Sequence, residues 1–193
     1  MTRICVYCGS NPGKLPAYRE AGRLLGNELA RRGLGLVYGG ASVGVMGAVA
    51  DGVLEQGGSA IGVIPHFFAT KEVAHHGLEE LIIVNSMHER KSRMAELSDG
   101  FIALPGGWGT FEEIFEMLTW AQLGHHEKPC GLLNVESYYD ELYRFLDKAI
   151  EQQFVKEAYR PMIMMDESPS GLLDRFDDYR APRVKKWIGP EET

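Results

Sequence analysis

The chain has 193 residues, 45% of them hydrophobic and 24% charged, a size and balance that suit one globular unit with its own core. Its net charge of −7 argues against nucleic-acid backbone as a partner. No apolar run reaches the length of a membrane span, the start MTRICVYCGS lacks a signal-peptide layout, and three cysteines cannot build a disulfide framework. A cytoplasmic protein without a membrane partner is expected.

The elements follow in alternation. Residues 3–8 form a first strand that ends in the turn-rich loop Gly9-Ser10-Asn11-Pro12-Gly13. Cys5 and Cys8 have the spacing of a redox pair, but they sit inside this strand rather than at a helix start, so redox or metal chemistry is not expected of them. From Pro16 to Arg32 the pattern is helical, with Tyr18, Ala21, Leu25 and Leu29 on one face and Gly33 as the stop. Leu34 to Tyr38 is a second strand, running into a glycine-rich turn, Gly39 to Gly47, and a helix over about Val45 to Gln56. Ala60 to Ile64 is a third strand, closed by Pro65, and residues 66–79 read as loop or short helix carrying Glu72. Leu81 to Val84 is a fourth strand, and Ser86 to Leu97 a helix that opens with Met87-His88-Glu89-Arg90-Lys91.

Phe101 to Leu104 is a fifth strand, followed by Pro105-Gly106-Gly107-Trp108-Gly109-Thr110, with a helix over 111–123 whose inner face is Phe111, Ile114, Phe115 and Leu118. A sixth strand spans Cys130 to Leu133, a helix Ser137 to Gln152, a seventh strand residues 161–165 and a last helix residues 168–178. Residues 1–180 read as one nucleotide-binding α/β domain and 181–193 as a C-terminal tail. Short strands alternating with helices give a mostly parallel sheet of about seven strands, doubly wound, with helices on both faces. Ligands of such sheets bind beyond the carboxyl ends of the strands. The loops Gly9-Ser10, Gly39 to Gly47 and Gly106 to Gly109 all fall at that end.

The 106–110 turn carries the most chemistry. Glycines permit φ > 0 and close approach of a ligand to backbone, and the first turn of a helix leaves amide N–H groups unpaired at the positive end of the dipole. Together they make an anion or phosphate site, with Thr110 as the cap and its hydroxyl as one more donor. Glu112 and Glu113 follow directly. One can be an ordinary first-turn acid; the other stands where a carboxylate would act on the sugar attached to a bound phosphate. Arg90 and Lys91 read either as a solvated charged face or, because cations near a helix start oppose its dipole, as functional groups. Trp108 either stacks on a base or covers the turn. The first turn lacks GxGxxG and the chain has no Walker sequence, which disfavours a dinucleotide enzyme or a nucleoside triphosphatase. Adjacent histidines at 75–76 and 125–126 lack i,i+4 partners, so no metal and no cofactor is expected.

Met87-His88-Glu89-Arg90-Lys91, followed by Pro105 to Glu113, resembles the Lonely Guy family with its MHxRK and PGGxGTxxE signatures. Cys8-Gly9-Ser10, Val37-Tyr38-Gly39-Gly40, Gly44-Val45-Met46-Gly47, Ile61 to Pro65, Thr119 to Gly124 and Gly131 to Asn134 look like family segments as well. Ala41 stands where a third glycine is common, and residues 73–86 diverge. The resemblance implies a Rossmann-like homodimer that hydrolyses the N-glycosidic bond of a cytokinin nucleoside 5′-monophosphate to free base and ribose 5-phosphate. Arg90 and Glu113 would be catalytic. Ser10, Glu72, Lys91, Gly106, Gly107, Trp108, Gly109, Thr110, Phe111, Glu112 and Thr119 would contact the substrate. Three rivals stay open: a general AMP nucleosidase or salvage hydrolase, a nucleotide-sensing module without turnover, and a lysine decarboxylase.

Overall fold

A computed structural model describes residues 1–69 and 74–184. Glu72 and most of the tail (185–193) lie outside the described residues. Seven strands make one sheet: β1 (Arg3–Tyr7), β2 (Gly35–Tyr38), β3 (Ala60–Pro65), β4 (Glu80–Val84), β5 (Gly100–Ala103), β6 (Cys130–Leu133) and β7 (Ile163–Asp166). Every pairing among them is parallel, in the order β4-β3-β2-β1-β5-β6-β7. The chain therefore winds outward from β1 to one edge, returns to β5 beside β1, and winds to the other edge. The seam between β1 and β5 is the point where winding reverses, and there the loops part to leave a crevice.

Seven helices cover the sheet: α1 (Pro16–Arg31), α2 (Gly44–Glu55), the single turn α3 (His66–Ala69), α4 (Met87–Glu96), α5 (Trp108–Leu123), α6 (Asp140–Glu151) and α7 (Pro169–Asp178). Alternation along the strands decides what each face packs against. Ile4, Val6, Leu36, Ile102 and Leu133 share a buried cluster with Leu25 and Leu29 of α1, Val49 and Val53 of α2, and Leu172 and Phe176 of α7. Cys5, Tyr7, Val37, Phe101, Ala103 and Leu132 belong to a second cluster with Met94 of α4 and Ile114 and Met117 of α5, against which Leu142 and Leu146 of α6 pack. The cysteines of the CxxC spacing thus point to opposite faces, both buried, and burial pushes both thiols far above the ordinary range, which leaves them inert.

Helices α1 and α2 meet through glycines. A Cβ at Gly26 would overlap the Val49 carbonyl and lie 2.8 Å from Val53 N, and one at Gly52 would overlap the carbonyl oxygen of Arg23. Backbone cannot yield there as a flexible side chain would. Gly26→Ala is expected to cost about 3 kcal/mol of stability, read as a lower denaturant midpoint, with activity per folded molecule unchanged.

Two helix starts differ from expectation. The fifth helix begins at Trp108, not 111, and its N-cap is Gly107 in extended conformation rather than Thr110. Thr110 lies inside the first turn and is buried, its side chain filling the space that the absent side chain of Gly106 leaves. The sixth begins at Asp140, because Glu136 and Ser137 both adopt left-handed conformations (φ 51° and 57°) that interrupt any helix from 137. The seventh strand starts at Ile163, since Pro161 lies in a 3-10 turn over 157–162.

Candidate active site

A cleft of about 450 Å³ opens at the β1/β5 seam. One wall is the loop from Cys8 to Gly13; the opposite wall is Pro105 to Thr110, with Glu112 and Glu113 behind it, and Arg90, Met46, Met87, Tyr18 and Tyr138 complete the lining. The walls are tied at their base by the Gly9 N–H, which donates to the Pro105 carbonyl at 3.2 Å. A Cβ at Gly106 would stand 2.8 Å from Gly9 N, so glycine at 106 is required by the approach of the two loops. None of Gly106, Gly107 and Gly109 uses the positive φ that glycine permits; that conformation belongs to Gly40 and Gly44 in the neighbouring loop. Gly107 and Gly109 face open space, where a Cβ would meet nothing within 4 Å.

The two helices that begin at the cleft spend their first amides differently. In α2 the N–H groups of Val45 and Met46 donate to the Gly9 carbonyl at 3.1 and 3.3 Å. In α5 the cap has no side-chain acceptor, and among the described residues the N–H groups of Trp108, Gly109 and Thr110 have no partner. The open amides of α5 and the dipole behind them face the cleft, an arrangement that favours a dianionic phosphate.

Glu113 is one turn further along α5, and only 5% of it is exposed. Burial pushes its carboxyl up to about 7, against the opposing pull of Arg90, with Glu112 adding to the rise. Arg90 is also buried; its Nη1 lies 3.5 Å from Glu113 Oε1, and its Nε donates to the Val63 carbonyl at 3.1 Å. Its guanidinium crowds the place where a side chain at position 39 would be: a Cβ on Gly39 would overlap Arg90 Nη2.

The helix bearing Arg90 is well started. Ser86 Oγ accepts from the Glu89 N–H at 3.1 Å, while Glu89 Oε2 accepts from the Asn85 N–H at 2.7 Å, a reciprocal cap that offsets the two cations in the first turns. Lys91 points beside the cleft rather than into it, and its ammonium bonds Glu112 and, at 3.1 Å, Glu116. Burial works to lower the Lys91 pKa, but these carboxylates raise it overall. A lysine held this way is opposite in character to a Schiff-base amine, which needs a depressed pKa.

Of the residues singled out from sequence, the cleft assembles Ser10, Arg90, Gly106, Gly107, Trp108, Gly109, Thr110, Glu112 and Glu113. Trp108 is 89% exposed at its mouth. Phe111 packs instead against the buried side, edge-on to Tyr139. Thr119 lies farther along α5 on a separate apolar groove formed with Leu146 and Ile150 of α6, its hydroxyl bonded to the Phe115 carbonyl at 2.8 Å. Sequence reasoning missed Gly39, Tyr18 and Tyr138. Gly39 was legible only as part of a glycine turn, and the tyrosines reach the site by a fold-dependent approach that leaves no local signal.

A family model described as possible lysine decarboxylase matches residues 46–176. A probable cytokinin riboside 5′-monophosphate phosphoribohydrolase of Oryza sativa subsp. japonica is 48% identical over 186 residues, covering 96% of this chain and 74% of the relative. A cytokinin riboside 5′-monophosphate phosphoribohydrolase of Arabidopsis thaliana is 47% identical over 184 residues, covering 95% of this chain and 86% of the relative. The chain belongs to the Lonely Guy family. The fold extends to more distant proteins. A molybdenum cofactor binding protein of Rippkaea orientalis superposes with a TM-score of 0.70 at 23% identity, covering 92% of this chain and 96% of that one. A Moco carrier protein of Chlamydomonas reinhardtii gives 0.69 at 21%, with the same coverage. At that identity the likeness concerns the fold alone. Within the Lonely Guy family the MHxRK and PGGxGTxxE segments are the ones that place Arg90 and Glu113 side by side here.

Proposed function

We propose that this Lonely Guy protein is an enzyme that hydrolyses the C1′–N bond of N6-modified adenosine 5′-monophosphates, releasing the free base and ribose 5-phosphate. The observation that carries the reading is the pairing of α5 amides that have no partner among the described residues with a buried carboxylate one turn away on the same helix. The phosphate sits on the amides of Gly107 to Thr110 and fixes the ribose; the remote binding energy holds the reacting carbon in place. As the C1′–N bond lengthens, its electron pair leaves with the base and positive charge builds on the ribose, as in glycosidases. Glu113, ionised, stabilises that charge and takes a proton from the water that attacks C1′; the departing base takes up a proton from solvent and Glu113 returns its own there, so that one water is divided between sugar and base. A carboxyl poised near 7 suits a general base at neutral pH. Arg90 favours the ionised form of Glu113 and orients the substrate. Ser10, Trp108 and Glu112 line the substrate path, and substrate contacts by Glu72, Lys91, Phe111 and Thr119 rest on the family resemblance alone.

We further propose a homodimer. The groove beside Thr119 is apolar, lined by Phe115, Leu118, Leu146, Ile150 and Val155, and Phe145 and Phe154 nearby are 66% and 87% exposed. A second copy seated there would cover these apolar side chains.

Incubation with AMP, isopentenyladenosine monophosphate and the corresponding nucleosides, followed by chromatography, tests the activity. Free isopentenyladenine and ribose 5-phosphate from the modified monophosphate, with little from AMP or from nucleosides, are expected. Equal turnover of AMP would point to a general nucleosidase, and binding without release of ribose 5-phosphate to a nucleotide sensor.

A further inference from the structure

The turn that would carry the phosphate is held by groups the MHxRK and PGGxGTxxE signatures do not include. Its three successive carbonyls are each taken by a separate donor: Leu104 O by the Tyr139 hydroxyl at 2.7 Å, Pro105 O by the Gly9 N–H at 3.2 Å, and Gly106 O by the Tyr138 hydroxyl at 2.6 Å. In a trans peptide the carbonyl and the following N–H point in opposite directions, and this chain has no cis bonds among its described residues. Fixing the Gly106 carbonyl therefore fixes the Gly107 N–H, which has no described partner, facing away from Tyr138.

The segment that delivers Tyr138 is itself constrained. Asn134 accepts the Tyr139 N–H at 2.8 Å and donates to Asp140 at 2.7 Å, and Glu136 and Ser137 are both left-handed. Two successive non-glycine residues in that region cost conformational energy, a pattern that clusters at functional sites. Tyr138 is 38% exposed and adds little to the core; its ring meets Tyr18 edge-on at 5.8 Å across the mouth of the cleft.

Resting on the phosphate reading above, we propose that Tyr138 is a positioning residue: its hydroxyl locks the Gly106–Gly107 peptide so that the Gly107 N–H is presented to the 5′-phosphate before substrate arrives. Burial raises the Tyr138 pKa, which keeps the hydroxyl a donor through neutral and mildly alkaline pH. The loss of one orienting hydrogen bond corresponds to about a tenfold weaker grip on the phosphate.

Tyr138→Phe keeps the ring and its contact with Tyr18 and removes only the hydroxyl. Calorimetric titration of wild type and variant with ribose 5-phosphate and, separately, with adenine reads the effect. Expected are an increase of about tenfold in the dissociation constant for ribose 5-phosphate, no change for adenine, a matching rise in KM for the monophosphate with kcat nearly unchanged, and an unaltered melting temperature. A merely structural role would lower the melting temperature or weaken both ligands alike, and would overturn the proposal. Wild-type affinity for ribose 5-phosphate in Tyr138→Phe would overturn it while leaving the activity reading intact. Failure of the wild-type protein to bind ribose 5-phosphate would overturn both.

Discussion

Glu113→Gln is expected to reduce turnover of the nucleoside monophosphate by roughly 10³-fold while leaving its affinity within about threefold of wild type. The amide keeps the size of the carboxylate but can neither carry charge toward C1′ nor accept a proton from water. The phosphate amides are a separate part of the helix and remain open, so binding survives. The pH profile gives an independent check. Burial holds the wild-type carboxyl near 7, so if the ionised form is the active one, kcat/KM climbs tenfold per pH unit below about 7 and levels off above it. The phosphate monoester of the substrate, with its second ionisation near 6, adds a lower inflection that stays in every variant. Glu113→Gln should lose the upper inflection together with the rate. A variant with near wild-type turnover, or a wild-type profile flat from about pH 5 to 8, would remove Glu113 from the role given to it.

The second large effect is expected at a residue with no side chain. Gly39→Ala places a methyl group in overlap with Arg90 Nη2. The guanidinium is buried and anchored through Nε to the Val63 carbonyl, so it cannot swing freely into solvent and must shift within the site. A displacement of about 1 Å in a group that orients substrate costs on the order of 10²-fold in rate. The same shift weakens the pull of Arg90 on Glu113, the larger of two cationic influences, with Lys91, that lower its pKa against burial. The upper inflection of the profile should therefore move to higher pH, a change that general destabilisation would not produce. Stability should fall by about 1–3 kcal/mol from overpacking, measurable by denaturant unfolding. Wild-type kcat/KM with an unmoved inflection would mean that the placement of Arg90 does not matter to the reaction.

These two residues illustrate what the sequence made legible. The strand–turn–helix order of 101–123, the position of Arg90 and Glu113 near one another and the parallel doubly wound sheet all follow from patterns along the chain: apolar periods, glycine turns and paired signatures. That the ligand site lies at the carboxyl ends of the strands followed as well, because every glycine-rich loop falls there; which strands flank it did not, since strand order is decided by packing between distant segments. The function of particular glycines did not. The positive φ that glycine permits is not used in the 106–109 turn; Gly106 is demanded by the Gly9 backbone across the seam, and Gly39 by an arginine about fifty residues further along the chain. Such demands arise from contacts between distant segments, and the symbol G looks the same in each case. Thr110 shows a related limit. Threonine before a helix face reads as a cap, yet a glycine three positions earlier takes the extended cap conformation, and the threonine packs inward. For α6 the left-handed pair Glu136-Ser137 was illegible because neither residue type favours that conformation; surrounding contacts of Asn134, Tyr138 and Tyr139 impose it.

The arrangement also bears on the lysine decarboxylase description of the family model. A decarboxylase acting through an amine would need a lysine held neutral in the cleft. Lys91 instead is a counter-ion to Glu112 and Glu116, its charge reinforced, and it stands beside the cleft. That position suits a brace for the helix that bears Glu113 and Glu112.

The most direct measurement is a crystal structure of Glu113→Gln soaked with AMP. Phosphate oxygens within hydrogen-bond reach of the N–H groups of Gly107 to Thr110, with the residue-113 amide turned to the C1′ carbon of the ribose, are expected. Phosphate bound elsewhere, or a ribose whose C1′ lies out of reach of residue 113, would contradict the claim that one helix both holds the phosphate and presents the acid.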